Sequence, residues 1–317
     1  MREIGSGAFR YRVNVDWARP PEGWWFNEVS AVGVDRRDRV YVFSRSDHPM
    51  MVFDREGNFL KSWGEGQFVR PHGVHIAPND TIFLTDDGAD TVRQFDLDGN
   101  LLLTIGTEGK RAPFMSGLPF HRCTHSALSP DGDIYITDGY GNARIHKYTP
   151  DGRHLMSWGG PGSSAGEFNV VHNIVCDAAG YVYVADRENH RIQVFDGNGR
   201  YQAQWNNVHR PNGLGFTECG CRRFFVGENG PALRVNHNWP NLGPRISILD
   251  GDGTLLARLG SLGHAPGEFI APHGIAADSR GDIYLGEVAL TGWPQHFEGP
   301  APPRLKCLQK LEKLPVE

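Results

Sequence analysis

His72, His172 and His273 are separated by 100 and 101 residues, and each opens a similar stretch: His72-Gly-Val-His, His172-Asn-Ile-Val and His273-Gly-Ile-Ala. Three imidazoles that leave a fourth position for water or substrate are the donor set of a catalytic zinc site; Mn²⁺ and Fe²⁺ accept the same donors. One histidine at a strand start is more simply a hydrogen-bonded structural residue, but three at a common interval point to a metal. His125, one residue beyond another copy of the same position, is a weaker candidate. Tyr140, in Asp138-Gly-Tyr-Gly-Asn142, could serve as a general base beside a metal. Arg45, in Phe43-Ser-Arg-Ser-Asp-His48, could hold a carboxylate through two hydrogen bonds or shift the proton affinity of a neighbour. The plain alternatives are a packing tyrosine and an ordinary ion pair of Arg45 with Asp47 or an adjacent element.

These side chains need a scaffold that repeats as they do. Six copies of one pattern can be aligned, opening at Ser30, His72, Thr124, His172, Asn212 and His273. Each carries four strand-like runs, which in the second copy are 74–77, 81–85, 91–96 and 101–105. Turns such as Asp-Leu-Asp-Gly-Asn100 and Asp-Gly-Asp-Gly-Thr254 join the third run to the fourth, because Gly and Asn accept the positive φ of tight hairpins. Four antiparallel strands per unit of roughly 40–60 residues predict an all-β, six-bladed β-propeller. The prediction covers residues 1–317 as a single domain. A Trp-Asp signature is missing, and Asp186-Arg-Glu-Asn-His-Arg-Ile-Gln-Val-Phe195 resembles an NHL repeat. Residues 304–311 supply a last third strand with no fourth, while 10–15 precede the first copy. Pairing the two would close the ring and hide its edge. Alternate blades of a six-fold ring stand about 120° apart, so histidines opening blades two, four and six are expected to meet on the axis.

In an up-and-down blade the start of the first strand shares a face with the end of the second. Tyr140 and Arg45 are therefore expected on the histidine face. The second strand ends in an acid in five copies (Asp86, Asp138, Asp186, Glu228, Glu287), and the matching place in the first copy reads as Arg45. Three insertions, 107–121, 229–245 and 288–303, fall on the same face. Loops of that length are usually functional. Phe114, Phe120, His237, Trp239, Trp293, His296 and Phe297, with His125 and with Asn212 at the fifth opening, are read as lining a mixed apolar substrate pocket.

The net charge of −5 gives no footprint for nucleic acid, and no run of 18 apolar residues predicts a membrane span. The N-terminus shows no apolar signal core. Five cysteines (Cys123, Cys176, Cys219, Cys221, Cys307) do not suggest a disulfide framework, and Cys219-Gly-Cys221, in an expected hairpin turn, lacks the second pair of a zinc site. A cytoplasmic protein acting on a small molecule is the simplest expectation, with no indication of oligomeric state.

Taken in order, Phe43-Ser-Arg-Ser-Asp-His48, Pro71-His-Gly73, Asp138-Gly-Tyr-Gly-Asn-Ala-Arg-Ile145, Val171-His172, Ala185-Asp-Arg-Glu-Asn189 and Pro272-His273 resemble the peptidyl-α-hydroxyglycine α-amidating lyases, six-bladed zinc propellers. The likeness spans nearly the whole propeller. It implies zinc at His72, His172 and His273, Tyr140 as base and Arg45 assisting. The implied reaction cleaves the N–C(OH) unit of a hydroxyglycine to an amide and glyoxylate. The family has Asp after its last metal histidine, where it helps hold a structural Ca²⁺; this chain has Gly274, which argues against the calcium. The family's disulfide cysteines fall at His121, Gly141, Tyr183 and Val194, which fits a reducing compartment. The expected activity is a metal-dependent lyase acting on a small carbinolamide. Two other readings stand beside it: a hydrolase or hydratase that activates water at the same metal, and a non-catalytic interaction propeller, as many NHL-repeat proteins are.

Overall fold

The computed structural model describes residues 2–218, 222–237 and 239–316, so Cys219 and Cys221 lie outside the described residues. The chain is a six-bladed β-propeller of four-stranded antiparallel sheets, almost entirely β. The second blade is made of Pro71–Ile76, Thr81–Asp86, Thr91–Asp96 and Leu101–Gly106, in that order across the sheet. Second strands such as Val182–Asp186 and Ile283–Glu287 are buried along their whole length, which is why they read as unbroken apolar runs rather than as alternation. Fourth strands such as Tyr201–Trp205 are largely exposed and carry the polar residues.

The chain divides into two compact units, Gly66–Pro211 and Met1–Glu65 with Asn212–Glu317. The Gly66–Pro211 unit holds the blades that open at Pro71–Ile76, Cys123–Leu128 and Val171–Cys176; the other holds those that open at Val29–Val34, Pro211–Thr217 and Pro272–Ala277.

One turn device recurs through both units. Asp177 Oδ1 accepts the backbone N–H of Ala179 and Tyr181, closing the hairpin, while its Oδ2 accepts the Tyr183 hydroxyl at 2.9 Å. Asp278 does the same for Arg280, Asp282 and Tyr284, and Asp35 for Arg37, Arg39 and Tyr41. An aspartate that replaces backbone partners in the turn also anchors the buried tyrosine of the next strand. Sequence pattern and blade packing are thus joined in one side chain.

The sheet that opens at Pro272–Ala277 runs Glu3–Ser6, Phe9–Asn14, Leu308–Lys313, Ile283–Glu287, Pro272–Ala277, and Val13 stands opposite Leu311. The N-terminal strand therefore supplies this blade's fourth strand. Two details differ from the sequence expectation. The third strand begins at Leu308 rather than 304, because Leu305 and Cys307 are drawn into the core beside Trp17, Val29 and Tyr284. Glu3–Ser6 adds a fifth strand outside the fourth. The 288–303 insertion is likewise more than a loop: it contains the helix Ala289–His296, whose Ala289 and Trp293 belong to the same core. No helix among the described residues is long and apolar enough to cross a membrane.

Candidate metal centre

A β-bulge positions each candidate ligand. Pro71 pairs with Asp86 and Gly73 with Thr85, leaving His72 as the extra residue on its strand. The same shift isolates His172 between Val171 and Asn173, and His273 between Pro272 and Gly274. Ser30 and Thr124 occupy the equivalent place in their own strands. A bulge bends the strand and re-aims the extra side chain, so one backbone irregularity, repeated blade by blade, points the strand-opening residue away from the sheet.

The bulges also fix the imidazole rings. His72 Nδ1 donates to the Thr124 carbonyl at 2.6 Å, and His273 Nδ1 donates to the Ser30 carbonyl at 2.6 Å. Each acceptor is the bulge residue of another blade in the same unit. A proton held on Nδ1 leaves the lone pair on Nε2, the tautomer that a ligating histidine with an outer hydrogen bond adopts. Thr124 Oγ1 in turn reaches the carbonyl of Val171 and the Thr137 hydroxyl, and Asn212 Nδ2 donates to the Pro272 carbonyl at 3.0 Å. Asn212, expected in the substrate pocket, is thus a buried tie to the strand that carries His273.

Within the Gly66–Pro211 unit, His72 and His172 face one another. Their ring centroids are 5.0 Å apart and their ligand atoms lie within 4.8 Å. Tyr140 Oη lies 3.0 Å from Nε2 of His72 and 3.0 Å from Nε2 of His172. A phenol has one proton, so it can donate to only one of these nitrogens at a time. Zn–N bonds of about 2.0–2.1 Å at a tetrahedral centre require ligand nitrogens roughly 3.4 Å apart, a separation this pair can reach by small movements. His72, His172 and His273 are all buried.

Two arginines unforeseen in the sequence stand over Tyr140. The Arg122 guanidinium carbon is 4.6 Å from the ring centroid and that of Arg187 is 5.6 Å away. Arg122 is held by Asp87 at 2.6 Å and Arg187 by Glu188 at 2.8 Å. Burial pushes Glu188 up, but the hydrogen bonds and charges of Arg210 and Arg187 outweigh it and bring its pKa down to about 2.

Arg45 occupies a different repeat position from the one expected. Val29 pairs with Ser44 as Pro71 pairs with Asp86, so Ser44 stands where the other strands carry an acid. Those acids clamp the approach to each bulge: Asp86 accepts from Val69 and Arg70 N–H, Asp186 from Asn169 N–H, and Glu287 from Ile270 and Ala271 N–H. Arg45 follows Ser44 just as Arg187 follows Asp186, and the two are repeat equivalents. Its Nη1 is 2.7 Å from Glu28, which also accepts from the Thr291 amide and hydroxyl. An ion pair of this kind was the plain alternative, with Glu28 in place of Asp47. The signal for Arg187 was present in Asp186-Arg187, immediately after a second strand.

The glycines after two of the histidines are dictated by packing. A Cβ on Gly73 would lie 2.6 Å from Nδ1 of His125, and one on Gly274 would lie 2.4 Å from Ala31 Cα. The second approach leaves no room for a side chain at 274. His125 itself is buried against Gly73, and burial followed by its neighbour His75 lowers its pKa to about 3, so it is neutral and structural.

The insertions hold the remaining candidates. Phe120 is core, packed on His146, whereas Phe114 is 69% exposed. Trp293 is buried, stacks on Phe297 at 4.4 Å and donates to the Gly299 carbonyl. His237 and His296 pack ring to ring at 5.5 Å, and Trp239 is 65% exposed.

The NHL-repeat family matches residues 168–195, a span that includes His172, Asp186 and Arg187. Human NHL repeat-containing protein 3 is 34% identical over 226 residues, covering 66% of this chain and 65% of that protein. Peptidyl-α-hydroxyglycine α-amidating lyase 1 of Drosophila melanogaster is 33% identical over 267 residues, covering 64% of this chain and 49% of that protein. The chain thus spans a little under two thirds of one curated relative and about half of the other. Among solved structures, streptogramin B lyase superposes with a TM-score of 0.62 over 97% of this chain and 99% of that one, at 15% identity, which shows the fold. The chain is an NHL-repeat six-bladed β-propeller, and the resemblance to the amidating lyases drawn from its motifs is borne out by relatives that carry that name.

Proposed function

We propose that this chain is a metal-dependent lyase that cleaves the C–N bond of a small carbinolamide, of the α-hydroxyglycine type, to an amide and an aldehyde such as glyoxylate. The observation that carries the reading is Tyr140 Oη at 3.0 Å from Nε2 of both His72 and His172. His273 matches these two in bulge position and burial, and it shares the Nδ1–carbonyl bond seen at His72, which supports it as the third ligand. Zn²⁺ is the first choice for three imidazoles, with Mn²⁺ and Fe²⁺ as alternatives. When bound, the ion would withdraw charge from the substrate hydroxyl and make its proton easier to remove. Tyr140 takes that proton. As the C–O bond becomes a carbonyl, the C–N bond breaks, and the amide nitrogen recovers the proton from Tyr140. Arg122 and Arg187 hold the phenol in place by stacking on its ring, and Arg187, like Arg45 in its equivalent position, is suited to a substrate carboxylate. Cys123, Cys176 and Cys307 are thiols rather than disulfides, which supports a reducing, cytoplasmic setting.

Incubating the zinc-loaded chain with benzoyl-α-hydroxyglycine in ¹⁸O-water tests the reading. A lyase releases benzamide and glyoxylate, with no solvent oxygen in the benzamide. Benzoate carrying one solvent oxygen would instead identify a hydrolase, and unchanged substrate would favour an interaction propeller.

A further inference from the structure

The two insertions of the unit that contains His273 hold polar atoms the fold does not account for. The short 3-10 turn Arg234–Asn236 leads directly into His237. Asn236 Oδ1 and His237 Nε2 are both buried, and neither has a hydrogen-bond partner among the described residues. Leaving such an atom unsatisfied forfeits its hydration without return, so in a native protein it calls for a ligand, a water or an ion.

The surroundings favour an ion. The His237 ring lies 5.5 Å from that of His296, centroid to centroid, at an interplanar angle of 46°. His296 is the last residue of the helix Ala289–His296, where the carbonyl end of the helix favours positive charge. Its ring is wedged against the other insertion: a Cβ on Gly230 would lie 2.8 Å from His296 Cε1. Two imidazoles drawn from two separate insertions and packed ring to ring match the donor preference of a zinc-like divalent ion. Water could satisfy either atom singly. An ion would also hold the two insertions to each other.

We propose that His237 and His296, with Asn236 beside them, bind a second divalent transition-metal ion that pins the 229–245 insertion to the 288–303 insertion. This site shares no residue with His72, His172 and His273 and does not depend on the lyase reading.

Metal analysis of the whole chain, loaded with excess ZnCl₂ and freed of loose ion by gel filtration, decides the matter. Wild-type protein is expected to retain two ions per chain, His237→Ala one, His172→Ala one, and the double variant none. His237→Gln, with a circular-dichroism melt on each sample, separates loss of the ligand from loss of the fold and is expected to retain one ion. If the wild type holds a single ion that His172→Ala removes, or if a folded His237→Ala still holds two, the second site is overturned while the lyase centre stands. A single ion removed by His237→Ala and kept by His172→Ala supports the second site and overturns the lyase centre instead.

Discussion

His72 donates its Nδ1 proton to the carbonyl of Thr124 across 2.6 Å, and Thr124 is itself the bulge residue of the following blade. The backbone of one blade therefore sets the tautomer and aim of the imidazole on the blade before it. His273 and Ser30 repeat the relationship. The ligand geometry thus belongs to the packed repeat rather than to any loop, which suits a site that must hold its donors in place before substrate arrives.

Tyr140→Phe keeps the ring beneath Arg122 and Arg187 and removes only Oη. Product formation from a hydroxyglycine substrate is expected to fall about 10²–10⁴-fold, with metal content unchanged. Steady-state kinetics beside elemental analysis reads both. A parallel loss of metal would make the phenol a ligand instead of a base.

Thr124→Val removes the hydroxyl that reaches Val171 O at 3.2 Å and Thr137 Oγ1 at 2.8 Å. Those atoms are buried, so urea unfolding is expected to show a loss of about 1–3 kcal/mol. Metal affinity should weaken as well, because the lost hydroxyl bonds hold in place the backbone whose carbonyl orients His72.

Arg245 donates to Glu228 from Nε at 3.0 Å and Nη2 at 2.7 Å, both side chains being buried. Arg245→Ala leaves the carboxylate buried without its cation, and a destabilisation of roughly 3–5 kcal/mol is expected in the same measurement. A change under 1 kcal/mol would mean that the blade relaxes to admit water.

Stability should depend on pH through two acids of opposite sign. Glu188, with its pKa brought down to about 2 against the ordinary 4.5, contributes stability that is present above 4.5 and lost as pH falls toward 2. Glu287 is raised to about 7 by burial, since its clamp supplies backbone N–H groups and Gln309 but no cation. Its contribution is fully present below pH 4.5 and is lost as pH rises through 7, by about 3 kcal/mol in all. Glu287→Gln is expected to flatten the unfolding free energy between pH 4.5 and 7 and leave the acid side unchanged. A slope equal to that of the wild type would refute the assignment.

Much of this was legible because the repeat is local chemistry. Aspartate-glycine turns and doubly buried second strands write themselves into consecutive residues, and three histidines at one repeat position stand out against Ser30, Thr124 and Asn212. The bulge was not legible, since a single extra residue alters pairing without altering composition. The partners of Arg45 and Asn212 were hidden for another reason: Glu28 and the Pro272 carbonyl are reached through the packing of neighbouring strands, which periodicity does not encode. The equivalence of Arg187 and Arg45 is hidden in the sequence because Ser44, not an acid, ends the second strand of the first copy, which leaves nothing to mark the register. The helix Ala289–His296 was masked by Gly292 and Pro294, both poor helix formers, and forms because Ala289 and Trp293 are buried.

The central claim is one ion shared by His72, His172 and His273, and anomalous diffraction at the zinc edge from crystals of the zinc-loaded chain tests it most directly. The account predicts a peak within about 2.0–2.1 Å of all three Nε2 atoms, with Tyr140 beside it. Crystals of fully loaded protein with no peak among these rings would contradict it.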